Sequence, residues 1–427
     1  MKKALLYILL AVGIWSCNDS DESVFSESTD VRLNKLLTTY QDQLTGATDG
    51  WNGVMYTGSG GSYGFYMKFD AQNRVNMFSD FSSAAASKSK ESSYRLKALQ
   101  TPTLIFDTYS YLHVLADPNG NVNGGNDGEG LLSDFEFAIF PDSISADRMV
   151  FIGRKNNSKL VLTRASSVEA TAYQNGDMGR SLAFANISKF KSYFKRFVVG
   201  NVTYEIFADQ MGRNMIINWL EGTTIRSHET TFYYTSSGVA LEIPLVNGTN
   251  TISGFSNLEW NAVKGEINFT LNGSRGTIAS AAAPLGVDRG AFTRFRNTAI
   301  DLGSYWYSTS AITVEGKEDA YGLTQTPNFA MMLFFPEYGV SGNTTYETFA
   351  VFDGSSLMGP AIVPSLNAST GKVTFRILGT FGNNETINAT LAAFIAEPNG
   401  FYFYQVSERN FDMVSAKDGR SWINWQL

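Results

Sequence analysis

Cysteine is all but absent from this sequence: Cys17 stands alone, so no disulfide can form within the chain. Histidine is almost as scarce, with His113 and His228 the whole supply. A Ser-His-Asp triad or a histidine-bearing zinc centre would have to recruit one of the two, and neither has metal-binding spacing. His113 lies in the run Tyr111 to Ala116, which reads as a strand, and His228 lies in Arg226-Ser227-His228-Glu229. No H-E-x-x-H or phosphate-loop pattern occurs. These gaps predict no metal, no cofactor and no catalytic residue of the common hydrolytic kinds.

Long apolar runs are missing too, with one informative exception. Lys2 and Lys3 precede an apolar run from Ala4 to Ile14, which ends at Trp15-Ser16-Cys17 and gives way to Asn18-Asp19-Ser20-Asp21-Glu22. The run falls short of the about 20 residues that a spanning helix needs. A positive start, a short apolar core and a cysteine at the junction read as a secreted lipoprotein signal, cleaved before Cys17, whose thiol takes the lipid. Residues 1–16 are then signal peptide and residues 17–28 a flexible, hydrophilic tether on the membrane.

A basic excess is lacking as well. Loss of Lys2 and Lys3 leaves 31 basic against 40 acidic residues, a net charge of −9, with no local Lys/Arg cluster, which argues against nucleic acid as a partner. Only 10 prolines accompany 39 glycines, and aromatics reach 14%. That mixture suits many short strands joined by tight turns. The chain exceeds what one core usually organises, so more than one module is expected.

One helix is predicted over Thr29 to Thr45, where Leu33, Leu36, Leu37, Tyr40 and Leu44 share a face and Gly46 is the stop. From Trp51 the period shifts towards two. Gly64 to Phe69 and Arg74 to Phe78 form a hairpin across Asp70-Ala71-Gln72-Asn73. Further strands are predicted at Ser93 to Leu99, Thr103 to Phe106, Tyr111 to Ala116, Asp134 to Ile139, Arg148 to Ile152 and Lys159 to Thr163. About eight antiparallel strands suit a closed barrel or a curved sheet, since closure removes exposed edges.

A second copy of the pattern follows. Phe69 to Met77 matches Phe207 to Met215, Ser133-Asp134-Phe135-Glu136-Phe137 matches Ser256-Asn257-Leu258-Glu259-Trp260, and Asn157-Ser158-Lys159 matches Asn272-Gly273-Ser274-Arg275. The first copy is longer by about the loop Asp117 to Gly130. The reading is a mostly β chain: helix plus first module over 29–167, linker plus second module over 168–280, and a third β region over 281–427. In that third region strands are predicted at Tyr305 to Tyr307, Phe329 to Phe335, Glu347 to Phe352, Lys372 to Leu378, Thr386 to Phe394 and Phe401 to Val406.

Ser93 to Gln100, Pro102 to His113, Ser133 to Phe137 and a terminal Asp418-Gly419-Arg420-Ser421-Trp422 together resemble the Bacteroidetes lipoprotein family catalogued as domain of unknown function 4302, from Cys17 to the end. Asp19, Asp21 and Glu22 also resemble the export signal that sends such lipoproteins to the outer face of the outer membrane. The resemblance implies an accessory lipoprotein of nutrient uptake, near a starch-utilisation-type transporter complex and a lipoprotein of zinc-metallohydrolase type. The family brings no established catalytic residues.

Other chemistry is read from the residues directly. A glycoside hydrolase needs only two acids, and Asp134 with Glu136, or Glu318 with Asp319, could supply them. Asp117-Pro118-Asn119-Gly120-Asn121 begins like a calcium loop, yet Val122 takes the place of its glycine and Gly128 that of its bidentate acid. Trp51, Trp219, Trp260, Trp306, Trp422 and Trp425 are candidate core or stacking residues, with Trp260 expected at the buried position of Phe137. Tyr109-Ser110-Tyr111 puts two rings on one strand face, and Phe401 to Tyr404 puts rings on both. The function expected is non-catalytic binding at the outer membrane, with a carboxylate hydrolase as the alternative.

Overall fold

The computed structural model describes residues 28–427. Cys17, the signal segment and most of the tether lie outside the described residues. The first helix, Thr29–Thr45, begins where the Ser28 hydroxyl accepts from the Val31 N–H and stops where the Gly46 N–H closes on the Asp42 carbonyl. Tyr40 and Leu44 are buried and Leu36 packs beside them, so the apolar stripe lies on the first sheet. No described helix is long and apolar enough to cross a membrane.

Two closed antiparallel barrels of eight strands follow one another. The first runs from Trp51–Tyr56 to Lys159–Arg164, and these two strands pair to close it; the second runs from Phe194–Val199 to Ser274–Ala281 and closes likewise. Alternation fills each interior: Trp51, Gly53 and Met55 point in, whereas Asn52, Val54 and Tyr56 are half-buried outside. Each barrel therefore has a core of its own. Helices Ser167–Gln174 and Asp177–Ser181 and a 3-10 turn, Leu182–Lys189, connect them.

The third region is a nine-stranded antiparallel sheet over Trp306–Ser308 to Ser421–Gln426, drawn round until Tyr307 pairs with Gln426. Helices Ala291–Asp301 and Glu385–Ile395 pack against it. A likeness to the first barrel that the sequence conceals sits at its start. Trp306 donates its indole N–H to Phe295 of the preceding helix at 2.7 Å, as Trp51 does to Leu44 at 3.0 Å. Both indoles are fully buried.

Two strand assignments are corrected. Tyr111 to Ala116 is a short helix, Tyr111–Leu115, because Leu112 and Leu115 fill the barrel mouth at a spacing of three, and the Ser110 N–H donates to His113 Nδ1 at its start. Tyr109 and Tyr111 therefore do not share a strand face. Thr386 to Phe394 belongs to the helix Glu385–Ile395, capped where the Asn384 side chain accepts from Ile387 N at 3.1 Å, with Ile387, Leu391 and Ile395 buried at a spacing of four.

The repeat holds in strand order, but its register differs from the sequence match. Phe69 and Phe207 both lie on the second strand of their barrels; Phe69 fills the interior, whereas Phe207 faces out against Tyr193 and Tyr404. The hairpins align through Val75 and Met215, each buried, with one extra turn residue in the second. Phe137 sits at the start of its strand in the core, while Trp260 sits at the far end of Asn250–Asn261, half-buried on Phe190. The Asn157 and Asn272 turns do correspond: each joins the last two strands of its barrel with φ near +50°. The surplus of the first barrel is the segment between Phe106 and Glu136, where the second barrel turns directly at Asn247 and Asn250.

Candidate ligand cleft

Where the barrels meet, the strand Ser62–Phe69 of the first lies against Thr224–Tyr234 of the second. Ser62 Oγ donates to the Phe232 carbonyl at 3.0 Å, and a Cβ on Gly64 would run into the Tyr234 carbonyl oxygen, so glycine sets the closeness of approach. Beside this contact opens a cleft of about 440 Å3. Its first wall is Asn52 to Val54, the outward edge of the first strand. Its second is the strand Asn250–Asn261 around Ser253 to Ser256, and the helix Ser167–Gln174 brings Glu169 and Tyr173 across one end. Tyr233, Thr235 and Ser237 line the side formed by the second barrel.

The polar groups are held in defined positions. Asn52 Nδ2 donates to Glu169 Oε1 at 3.0 Å, while Glu169 Oε2 accepts from both the N–H and the hydroxyl of Ser166 at 2.8 Å. That reciprocal box starts the helix and fixes the carboxylate. Asn52 Oδ1, shielded from solvent, has no hydrogen-bond partner among the described residues. Tyr173 stacks on Tyr66 at 4.7 Å, and burial pushes both phenols up. Tyr56 beside the cleft is pushed up to about 12, first by burial and then by Glu242 and Tyr233. At Gly254 the strand backbone itself is part of the lining, and a Cβ there would meet the Val239 carbonyl. Among the described residues no lysine or arginine lines the cleft, and Glu169 is its one carboxylate.

None of the residues singled out for catalysis meets there. Asp134 is buried in the first barrel and accepts from the N–H groups of Lys155, Asn156 and Ser158 and from the Ser158 hydroxyl at 2.7 Å, which makes it the organiser of a turn. Glu136 opens the neighbouring strand, and Glu259 is exposed out of register with it. Asp319 accepts from the Leu323 and Thr324 N–H groups and so starts a 3-10 turn, with Glu318 exposed beside it. His113 stacks between Tyr109 and Phe135; its Nδ1 accepts from Ser110, so Nε2 carries the proton and donates to the Phe106 carbonyl at 3.2 Å. Burial lowers its pKa. His228 Nε2 is tied to the Ile243 carbonyl at 2.8 Å.

The loop after Asp117 spends its oxygens on its own backbone. Asp117 accepts from Asn119, Asn119 from Asn121 and Asp127 from Gly120, around a short helix. Among the described residues no group of three His, Cys, Asp or Glu side chains is placed to hold a metal ion. Gly60-Gly61-Ser62-Tyr63-Gly64 spells a G-x-S-x-G pattern, but Ser62 is fully buried in the barrel contact and opens a hairpin strand instead of a strand-to-helix elbow. Trp51, Trp306 and Trp425 are core; Trp219 and Trp260 pack partly on the second barrel's core, and Trp422 packs between that barrel and the third sheet. Phe401 and Phe403 point into the third core while Tyr402 and Tyr404 face the second barrel.

The family model described as domain of unknown function (DUF4302) matches residues 21–262, more than half of the chain. This chain belongs to that family. The DUF4302 match takes in the first barrel and the second up to the turn before Glu266–Leu271, and with them both walls of the cleft except Thr270 to Asn272. The third sheet and the Asp418 to Trp422 motif lie beyond the match, so the family likeness ends well before the C-terminus. No curated protein matches the chain. Among solved structures, the octameric penicillin-binding protein homologue of Pyrococcus abyssi aligns over 36% of this chain and 37% of its own at 11% identity and a TM-score of 0.15. DNA polymerase III subunit beta of Borrelia burgdorferi aligns over 92% and 97% at 9% identity and a TM-score of 0.13. Scores this low establish no shared fold with this DUF4302 protein.

The cleft residues Asn52, Glu169 and Tyr233 carry no sequence signal of their own. They converge from three separate segments, with Asn52 more than a hundred residues before Glu169, and the Tyr233-Tyr234 doublet in an alternating strand is the one local hint.

Proposed function

We propose that this protein acts by binding, without a catalytic centre, as a lipid-anchored accessory component of an outer-membrane uptake system that holds its ligand in the cleft between the barrels. The observation that carries the reading is the lining: fixed amide, hydroxyl and tyrosine groups around a single carboxylate already engaged by Asn52 and Ser166. Such a site orients a ligand through a few placed polar groups. Hydrolysis by carboxylates requires two acids across one bond, and among the described residues Glu169 has no second acid in the cleft to work with. The anchor is the lipid on Cys17, and the outer-membrane setting and the transporter partner follow from the signal reading and the family resemblance.

Two results test this. The lipidated chain solubilised from outer membrane should bring a transporter with it in affinity capture. Purified chain with Cys17 replaced should leave glycans and peptides unchanged over long incubation. Turnover that disappears in Glu169→Gln would promote the hydrolase instead.

A further inference from the structure

Chemistry around the cleft narrows its ligand, on the reading that the cleft is the binding site. Charge comes first. With Glu169 in the lining and no lysine or arginine among the described residues there to offset it, a phosphate, sulfate or uronate would be desolvated against like charge with no partner. An extended peptide is disfavoured for a different reason. Peptides held by backbone pairing add to a free sheet edge, and the wall Asn52 to Val54 is already paired on both of its sides. A purely apolar ligand would bury the exposed Ser253 hydroxyl and the half-buried Tyr233 hydroxyl without replacing their water.

What remains is a molecule rich in both donors and acceptors, neutral, with flat apolar faces. Hydroxyl groups donate and accept at once, and so can answer the Glu169 carboxylate and the Tyr233 and Ser253 hydroxyls together. The half-buried Tyr233 ring offers a face for the C–H side of a sugar. The volume of about 440 Å3 lies in the range of small-ligand pockets. We infer that the cleft between the barrels binds a short neutral oligosaccharide and rejects anionic ones.

Isothermal titration calorimetry of the full chain in detergent tests this, with maltohexaose, cellohexaose, mannohexaose and xylohexaose as probes and hexagalacturonate as the charged comparison. At least one neutral hexasaccharide should bind and hexagalacturonate should not. Asn52→Leu, which removes the donor that holds Glu169 Oε1 in place, should weaken the neutral ligand about tenfold, the worth of roughly one hydrogen bond. Tyr233→Ala should do the same, with unchanged circular dichroism and melting as the folding control. Ser253→Arg, an exposed position that tolerates a larger side chain, should weaken the neutral ligand and admit hexagalacturonate. The inference is overturned if no neutral probe binds, if binding survives both Asn52→Leu and Tyr233→Ala, or if hexagalacturonate binds the unaltered chain equally well. Transporter capture by the intact chain, together with absent turnover, would then still support a binding function with a ligand of another class.

Discussion

Arg213 of the second barrel sets its guanidinium against Asp80 of the first, with Nη1 3.3 Å from Oδ2 and Nη2 donating to the Asp80 carbonyl at 3.0 Å. Both side chains are buried, and Asp80 also accepts from the Tyr234 N–H at 2.8 Å. Tyr63 and Tyr234 flank the guanidinium at 5.0 and 4.7 Å. Burial raises the pKa of Asp80 and Arg213 opposes that shift. The pair thus ties the two walls of the cleft together, and its worth lies in what its loss would expose.

Removing one partner leaves an uncompensated charge in the barrel contact. Asp80→Ala should cost about 3–5 kcal/mol, read as a lower midpoint for the first transition in urea, and should loosen the cleft. The pair replacement Asp80→Leu with Arg213→Met should recover most of that loss. A single variant as stable as the parent would show that the barrels do not depend on this contact.

Between the second barrel and the third sheet lies a second buried polar group. The Tyr193 hydroxyl donates to Asp412 at 2.5 Å, Asn424 donates to the other carboxyl oxygen at 2.6 Å, and Glu205 accepts from the Leu285 N–H at 2.9 Å with Arg196 3.4 Å away. Burial pushes Glu205 up to about 7 and Asp412 up to about 6, and lowers Lys195 to about 8. Each acid binds more protons folded than unfolded over its interval, so its contribution is full below the ordinary carboxylate range and is lost as pH rises to about 7. Lys195 binds fewer protons when folded, so stability returns as pH climbs from about 8 towards 10.5. The junction should therefore be weakest near neutrality. Urea midpoints at acid, neutral and alkaline pH should trace that minimum, and Asp412→Asn should flatten its acid side.

Asp134 is a matter of stability in this reading. Losing a carboxylate that gathers three N–H groups and a hydroxyl should cost on the order of 2–3 kcal/mol. Asp134→Ala should accordingly melt earlier while binding in the cleft stays unchanged. Lost binding at unchanged stability would return Asp134 to the functional residues.

Cys17→Ala should move the protein from the detergent phase to the aqueous phase. Continued partition with membranes, with no acylated N-terminus on the parent by mass spectrometry, would remove the lipid anchor.

Much of the fold was legible because it is local. The stripe from Leu33 to Leu44, the Asp70 to Asn73 turn and the period-two strands each declare themselves within a few residues. The errors fall where local pattern is ambiguous. Leu112 to Leu115 is too short a run to tell strand from helix, and Phe207 lies one position away from the residue that structurally matches Phe69, which turns it to the other face. Closure of the barrels and the pairing of Tyr307 with Gln426 are long-range contacts. So is the cleft: Asn52, Glu169 and Tyr233 acquire meaning only once two separate barrels dock through Gly64 and Arg213.

The most direct test is a crystal structure of the chain soaked with the tightest-binding neutral hexasaccharide. Intact, continuous sugar density between Asn52 and Tyr233, within hydrogen-bond distance of the Ser253 hydroxyl or the Glu169 carboxylate, is the expected result. An empty cleft at saturating ligand, density at another surface, or a cleaved glycosidic bond beside Glu169 would contradict binding without chemistry at this site.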